Sequence, residues 1–389
     1  MRRKILAITG IRSEYDISYP LLKVLRDSKR FEIKLVVSNA HLSDWHGFTL
    51  SKIEEDGFEI AEKIDCLLMT NRKTQRVKGV GILTYALSQT VDREKPDLLF
   101  VVGDREESIA AALVGNYMNI LVAHLGGGDP VYGNADDPIR FAVSKLAHIH
   151  LTTAKPYSEN LINIGEEKFR IFNVGNPALD NIKNTVTIPL KEIGNQIEFA
   201  INDKKYVVLI KHPLSSEKED SYAQMEITLR ALKKFHDETG YKVIASYPNT
   251  DPGSYDILDA IKLYEKESFI KFYKSLPREL FVNIMRNSKA LIGNSSMGIL
   301  EAPFYKLPVI NVGNRQKGRL NAGNVVFVKH DVIEIKKALL KACFDNDYRD
   351  RVKKLENPFG DGNSSQKILK VFNTINISDK KWYIKKRLC

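Results

Sequence analysis

The chain has 389 residues, a hydrophobic content of 43% and a formal net charge of +11 at pH 7. This length exceeds one ordinary domain, and the apolar content can form two hydrophobic cores. The three cysteines lie far apart and form no CxxC pair, which argues against a disulfide framework and against a zinc site. We therefore expect a two-domain protein of the reducing cytoplasm, without a metal.

The positive charge raises the question of nucleic-acid binding, because clustered lysines and arginines are typical of proteins that bind phosphate backbones. The densest basic stretch, 380–387, is interrupted by aromatic and aliphatic residues, which is typical of a solvated helix face. The apolar run at 4–9 is too short for a signal peptide, and no later run could span a membrane. We expect neither a nucleic-acid nor a membrane partner, and a basic surface suits a small anionic substrate.

Short β-branched runs alternate with helical patterns along the chain, and the alternation restarts after Asn176-Pro177. Such runs are typical of strands buried in parallel sheets. The sequence therefore predicts an α/β fold with two doubly wound, Rossmann-like domains, at 1–185 and 186–364, and a C-terminal helix at 365–389 that joins the first domain. The predicted strands are 4–9, 33–38, 97–103, 120–126, 148–153, 170–175, 206–212, 241–247, 269–273, 290–294, 308–313 and 324–330.

Residues that directly follow the strands are the candidates for function, because ligands of open α/β sheets bind beyond the carboxyl ends of the strands. Gly10 and Arg12 follow the first strand and open a helix, an arrangement that suits a phosphate. An ordinary turn with a surface arginine explains this sequence equally well. It is neither GxGxxG nor GxxxxGK[ST], so dinucleotide-binding and Walker-type sites lose support.

Two later strands of the first domain end in polar, glycine-rich sequences. Asp104 and Arg105 follow the third predicted strand, and the sequence HLGGGD at 124–129 follows the fourth. Buried strands seldom combine histidine and aspartate with three glycines unless the backbone approaches something closely. The alternative is a glycine-rich turn with a capping aspartate, here Asp129.

The next helix begins with a cluster of charged residues. Asp137 and Pro138 predict the N-cap and the first helical residue, because proline lacks the N–H group that would be unbonded there. Asp136 and Arg140 lie on either side of this start and could form a carboxylate–guanidinium pair. Paired acids near a cation are a means by which enzymes separate acid and base roles.

The second domain contains the strongest cluster, at 293–319. Ser295 and Ser296 follow a strand and open a helix, which offers hydroxyl and N–H groups to a diphosphate. Glu301 lies about a turn and a half into that helix and can accept two ribose hydroxyls. His212 and Asn249 follow two other strands of this domain, although a single such histidine is more often structural than catalytic.

Taken in order, these sequences resemble those of the UDP-N-acetylglucosamine 2-epimerases, and within them the hydrolysing type of sialic and legionaminic acid pathways. The resemblance covers nearly the whole chain. It is carried by TGIRSEY (9–15), NAHLSDWHG (39–47), VVGDREE (101–107), HLGGGD (124–129), NADDPIRFAVSKLAHIH (134–150), GNPALD (175–180), KHP (211–213), YPNTDPGS (247–254), GNSSMGILEAP (293–303) and NVGNRQKGR (311–319).

The resemblance implies a GT-B-like architecture in which two domains face each other across a cleft, with UDP held mainly by the second domain and catalytic acids supplied by the first. It requires no cofactor, and we expect a homodimer or homotetramer. The implied nucleotide-binding residues are Arg12, Arg105, His212, Asn249, Leu276, Ser295, Ser296, Glu301 and Arg315. The candidate catalytic residues are Asp104, Asp129, Asp136, Asp137, Arg140, Asp180 and His212.

The reaction implied by the resemblance is elimination followed by hydration. A base removes the proton from carbon 2 of a UDP-linked 2-acetamido sugar while UDP leaves carbon 1, and water then adds to the glycal to give the free 2-epimer. The candidate substrates are UDP-N-acetylglucosamine and UDP-N,N'-diacetylbacillosamine. The alternatives are a non-hydrolysing 2-epimerase, a GT-B glycosyltransferase with an acceptor site, and a basic protein that binds RNA or membrane surfaces.

The chain departs from the family at Gly126, where many relatives carry an acid in the sequence HIEGGE. Glycine cannot transfer a proton. The base must then be another acid, with Asp129, Asp136 and Asp104 as candidates, or the substrate differs. A sugar with an acetamido group at carbon 4 and no 6-hydroxyl is one such substrate.

Overall fold

The structure is a computed structural model that describes residues 2–68, 74–131, 136–201, 203–249 and 251–384. It contains two parallel β-sheets covered by helices, so the predicted fold of two α/β domains is confirmed. The Cα positions divide the chain into two compact units. Unit 1 comprises 1–130, 135–183 and 359–389, and unit 2 comprises 131–134 and 184–358.

Unit 1 contains a parallel sheet with the strand order β3-β2-β1-β4-β5-β6-β7. Its interior strands are buried on both faces, since Ile5 packs into one hydrophobic cluster and Leu6 into another. The strands are β1 (Arg3–Thr9), β2 (Phe31–Ser38), β3 (Glu59–Ile64), β4 (Leu98–Val102), β5 (Leu121–Leu125), β6 (Ile149–Thr152) and β7 (Ile171–Asn173). The helices up to residue 184 are α1 (Arg12–Asp27), α2 (Leu50–Glu55), α3 (Thr74–Glu94), α4 (Glu106–Tyr117), α5 (Asp136–Leu146), α6 (Lys155–Asn163) and α7 (Ala178–Asn184).

Unit 2 contains a second parallel sheet, with the order β10-β9-β8-β11-β12-β13. Val207 and Val208, neighbours on its first strand, pack into separate clusters on the two faces. The strands are β8 (Tyr206–Ile210), β9 (Lys242–Ser246), β10 (Ile270–Tyr273), β11 (Leu291–Gly293), β12 (Val309–Val312) and β13 (Val325–Val328). The helices are α8 (Leu190–Gln196), α9 (Ser221–Thr239), α10 (Ser254–Lys262), α11 (Arg278–Asn287), α12 (Met297–Leu300), α13 (Val332–Phe344) and α14 (Asn346–Lys354).

The C-terminal segment packs into the core of unit 1. Helix α15 (Ser364–Thr374) buries Ile368 and Phe372 in the same cluster as Ile5. The guanidinium of Arg170, which is fully buried, donates to the carbonyl oxygens of Lys381, Trp382 and Ile384 at 2.6–2.8 Å. Of the basic stretch predicted as a helix face, the described residues include a 3₁₀ turn (Lys380–Trp382), in which both lysines are exposed and the tryptophan is buried.

Strand β3 has no counterpart among the predicted strands. It lies at the edge of the first sheet, and only Ile64 among its residues is buried. Its sequence EIAEKI therefore lacks the apolar run that marks the interior strands. None of the helices in the described part of the chain is both long enough and apolar enough to cross a membrane.

Candidate active site

The strand order of each sheet predicts one candidate site in each unit. In both sheets the order reverses beside the first strand, between β1 and β4 in unit 1 and between β8 and β11 in unit 2. Loops that leave neighbouring strands at such a point run to opposite faces of the sheet and leave a crevice beyond the carboxyl ends. Arg12 and Asp104 follow the two strands in unit 1, and His212 and Ser295 follow those in unit 2.

The charged centre of unit 1 is the buried guanidinium of Arg140, on α5. It forms an ion pair with Asp104, donates to Asp129 at 3.4 Å, and donates to the carbonyl oxygen of Gly126 at 3.0 Å. One arginine thus joins the loops that follow β4 and β5. Asp129 is buried, whereas Asp104 is partly accessible.

The sequence predicted Asp136 as a partner of Arg140, and the structure shows that Asp104 and Asp129 contact that arginine. The side chain of Asp136 lies outside the described residues. The predicted N-cap at Asp137 is wrong, because α5 begins at Asp136 and places Asp137 in the first turn. Pro138 is tolerated there because the first N–H groups of a helix have no intrahelical partner.

The carboxylate of Asp180 binds the N-terminus of helix α15. It is buried, and its two oxygens accept hydrogen bonds from the backbone N–H groups of Ser364 at 3.0 Å and Ser365 at 2.7 Å. These are the first residues of α15, whose N–H groups have no partner within the helix. Asp180 therefore stabilises the start of α15.

The glycines after β5 differ in how much space a side chain would have at each position. A side chain at Gly128 would collide with the backbone carbonyl of Tyr157, whereas the nearest atoms to a Cβ at Gly126 are 4.0 Å away. Gly126 nevertheless has a φ of +85°, which strains any other residue. His124 is buried and interacts through Nε2 with the carbonyl oxygen of Gly103 at 2.7 Å, and burial lowers its pKa to about 3. His124 is therefore uncharged at neutral pH, and its hydrogen bond holds the loop at Gly103 in place.

The structure adds two buried acids that the sequence interpretation missed. Glu14, in the first turn of α1, accepts from the N–H of Gly10 at 3.4 Å, and Glu107, in the first turn of α4, accepts from Ser38 Oγ at 3.1 Å. Burial raises the pKa of both carboxyls, and Glu107 raises that of Glu14 further. Their positions in TGIRSEY and VVGDREE, one turn after neighbouring strand ends, would have indicated their proximity.

The two arginines of unit 1 that were predicted to bind the nucleotide lie near acids. The Arg12 guanidinium pairs with Asp16 at 3.1 Å, one turn further along α1. Arg105 lies 3.7 Å from Glu106, and its charge helps to keep the pKa of Glu106 low although burial opposes this. Both arginines are only partly buried, so each can also present N–H groups to an anion.

The site of unit 2 is organised by the buried amide of Asn294. Its Oδ1 accepts from the backbone N–H of His212 at 2.7 Å, and its Nδ2 donates to the His212 carbonyl at 2.8 Å. The backbone N–H of Asn249 lies 3.1 Å from His212 Nδ1, and Arg315 donates to the carbonyl of Asn294 at 3.1 Å. The predicted residues His212, Asn249 and Arg315 are therefore brought together around one asparagine.

The serine segment follows β11 as predicted, but its helix is shorter than expected. Ser296 is the N-cap of α12, which ends at Leu300, so Glu301 lies just beyond the helix rather than within it. A Cβ at Gly293 would collide with the carbonyl of Ile210, which explains the glycine before this turn. Leu276 lies between β10 and α11 and packs against the core of unit 2.

Within the described ranges, no group of three or more histidine, cysteine or acidic side chains is arranged to hold a metal ion. The central contacts at the strand ends of unit 1 are ion pairs of Arg140, whereas those at the strand ends of unit 2 are hydrogen bonds between Asn294 and the backbone. The first set can exchange protons, and the second can bind oxygen-rich ligands.

Comparison with known proteins supports, over most of the chain, the family resemblance that the sequence motifs indicate. Residues 23–373 match the family model described as UDP-N-acetylglucosamine 2-epimerase. The UDP-N,N'-diacetylbacillosamine 2-epimerase (hydrolyzing) of Legionella pneumophila is 32% identical over 96% of this chain and 97% of its own length. The GDP/UDP-N,N'-diacetylbacillosamine 2-epimerase (hydrolyzing) of Campylobacter jejuni is 32% identical over 84% of each chain.

Among solved structures, the UDP-GlcNAc 2-epimerase of Neisseria meningitidis bound to UDP-GlcNAc has a TM-score of 0.79. It is 20% identical and covers 96% of this chain and 100% of its own, which supports the fold. The family match covers every strand-end motif named above except that at 9–15, and the Legionella relative covers 96% of the chain. By this evidence, the chain belongs to the UDP-N-acetylglucosamine 2-epimerase family.

Proposed function

We propose that the chain is a hydrolysing 2-epimerase that releases UDP and the free 2-epimer from a UDP-linked 2-acetamido sugar. The observation that carries this proposal is the identity of 32% with a hydrolysing enzyme over 96% of the chain. The pairing of Arg140 with Asp104 and Asp129 supports it, because proton removal at carbon 2 needs an acid whose charge is controlled by a neighbour. The free product would serve nonulosonic acid biosynthesis.

UDP-N,N'-diacetylbacillosamine is the substrate we favour. Both hydrolysing relatives are named for this sugar. The open space at Gly126 also supports it, because an acetamido group needs room that a glutamate side chain would fill. UDP-N-acetylglucosamine is the second candidate, since the family is named for it.

We assign the two parts of the substrate to different residues. The nucleotide is held by His212, Asn249, Leu276, Ser295, Ser296, Glu301 and Arg315, with Arg12 and Arg105 contributing positive charge. The one-turn helix α12 aligns few peptide dipoles, so the hydroxyls, the N–H groups and Arg315 must carry more of the diphosphate binding than a long helix would require.

The sugar is the part on which the acids act. Asp104 is accessible and Asp129 is buried against Arg140, so Asp104 and Asp136 are the favoured proton-transfer groups, and Asp129 holds the arginine. Asp137 lies in the first turn of the same helix and is the last of the proposed catalytic acids. The ion pair with Arg140 holds the Asp104 carboxylate in place at this strand end.

A homodimer or homotetramer completes the proposal. Val77, Ile82 and Tyr85 are exposed and lie within one side of α3, and a second copy of the chain would remove this apolar surface from water. Light scattering of the wild-type protein and of Tyr85→Glu tests this. A variant of unchanged mass would exclude Tyr85 from the interface.

The activity is tested by incubating the protein with each UDP-sugar in D₂O and following the products by NMR. We expect UDP, free 2-epimer and deuterium at carbon 2. A UDP-linked epimer would indicate the non-hydrolysing reaction instead. Conversion that requires an added sugar acceptor would indicate a glycosyltransferase.

A further inference from the structure

Two buried carboxyl groups meet at Gly10, in the loop that leaves β1. Glu14 Oε2 accepts the N–H of Gly10 at 3.4 Å. A Cβ on Gly10 would fall inside the carboxyl group of Glu107, which reaches this point from the first turn of α4. The two glutamates therefore lie on the same glycine, at the position where the strand order of unit 1 reverses.

Some carboxyl oxygens of Glu14 and Glu107 lack hydrogen-bond partners. Glu107 Oε1 accepts from Ser38 Oγ at 3.1 Å and from Asn39 Nδ2. Glu107 Oε2 and Glu14 Oε1 are both buried, and neither has a hydrogen-bond partner among the described residues. Two ionised carboxylates could only accept, so a proton between them supplies the donor that both oxygens lack.

The surrounding charges do not neutralise the pair. Glu106 on the same helix adds negative charge beside Glu107, and Asp104 on the preceding loop adds it beside Glu14. Arg105 is the cation that opposes both, and it also lies 3.7 Å from Glu106. The Cys66 thiol donates to Asn39 at 3.1 Å and stays protonated, because burial raises its pKa to about 12.

We propose that Glu14 and Glu107 share one proton in a carboxyl–carboxylate hydrogen bond that ties the Gly10–Arg12 turn to the start of α4. Adjacent buried carboxyls cannot both ionise, and a shared proton stabilises the pair. The bond fixes Arg12 on one strand end relative to Asp104 and Arg105 on the next. Glu14 and Glu107 are thus positioning residues.

The bond gives the enzyme an upper pH limit that is separate from the acids that act on the sugar. When the shared proton leaves, two negative charges are left side by side, and the turn that holds Arg12 is pushed from α4. We therefore expect kcat/KM to fall at alkaline pH. Only the kinetic part of the test rests on the proposed epimerase function.

The decisive variants are Glu14→Gln and Glu107→Gln, because an amide N–H can replace the shared proton. We expect Glu14→Gln to keep kcat at pH 7 within about threefold of the wild type and to move the alkaline limb to higher pH or remove it. Glu14→Leu, which has no donor, should lose kcat about tenfold without the same rise in the UDP dissociation constant. The exposed acid Glu55, replaced by glutamine, is the matched control.

Infrared spectroscopy tests the proton without relying on activity. The wild-type protein and Glu55→Gln should show the C=O band of a protonated carboxylic acid at neutral pH, and Glu14→Gln and Glu107→Gln should lose it. Circular dichroism confirms that each variant is folded, and either glutamine variant suffices if the other does not fold. A band that persists in a folded glutamine variant, or an alkaline limb unchanged in active Glu14→Gln, would overturn the proposal.

Discussion

The carboxyl ends of the two sheets have the same strand arrangement but different chemistry. In unit 1 the strand ends present buried charges, with Arg140 between Asp104 and Asp129 and the glutamate pair beside them. In unit 2 the corresponding strand ends are joined by neutral hydrogen bonds of Asn294. The comparison shows that the fold supplies the position of a site, whereas the residues after the strands decide between proton transfer and ligand binding.

The comparison predicts that charge matters most in unit 1. Asp104→Asn should lower turnover about a hundredfold or more, the usual effect of removing an acid or base. Binding of UDP should change little, because this residue is assigned to the sugar. Steady-state kinetics and calorimetry with UDP measure the two effects, and Asp92→Asn, on the exposed surface of α3, is the control. Normal turnover in Asp104→Asn would remove this residue from the reaction.

In unit 2 the largest effect should be on stability. Asn294→Ala removes both side-chain hydrogen bonds to the backbone of His212 and leaves their partners unsatisfied. We expect the free energy of unfolding to fall by about 3 kcal/mol. Urea denaturation measures this loss. A stable Asn294→Ala variant with normal UDP affinity would mean that the two strand ends are held by other contacts.

A smaller effect should be confined to binding. Glu301→Ala should weaken UDP binding by about 2 kcal/mol, because a carboxylate that accepts two ribose hydroxyls is lost. The free energy of unfolding should change little, since Glu301 is only half-buried. Calorimetry with UDP is the measurement, and Glu279→Ala on exposed α11 surface is the comparison. Equal UDP affinities in the two variants would exclude Glu301 from the site.

Lys211, a buried residue of unit 2, should affect how stability depends on pH. Burial lowers the pKa of Lys211 to about 7, and its Nζ lies 3.3 Å from His330 Nδ1. Between pH 7 and the ordinary pKa of 10.5 the unfolded chain holds this proton and the folded chain does not, so stability should rise with pH. Lys211→Met should flatten that rise, and the exposed Lys205→Met should not. Denaturation at several pH values measures the slopes.

Interior strands were predictable from the sequence because burial on both faces requires apolar runs. Strand β3 was missed because an edge strand does not need such a run. The strand-end residues were predictable because parallel strands present their carboxyl ends together. The contacts of Arg140 with Asp104 and Asp129 were not predicted, because these acids are distant from Arg140 in sequence and the fold brings them from two strand ends. Glu14 and Glu107 were missed because an acid in the first turn of a helix normally faces solvent and stabilises the helix dipole.

The packing of α15 has a consequence for synthesis on the ribosome. Residues 184–358 of unit 2 are contiguous, apart from the short segment 131–134, and are complete before α15 is translated. Unit 1 begins first but cannot complete the hydrophobic cluster around Ile5 until Ile368 and Phe372 emerge. We therefore expect one face of the nascent first sheet to stay partly exposed to solvent until α15 is made, and exposed apolar surface of this kind favours aggregation.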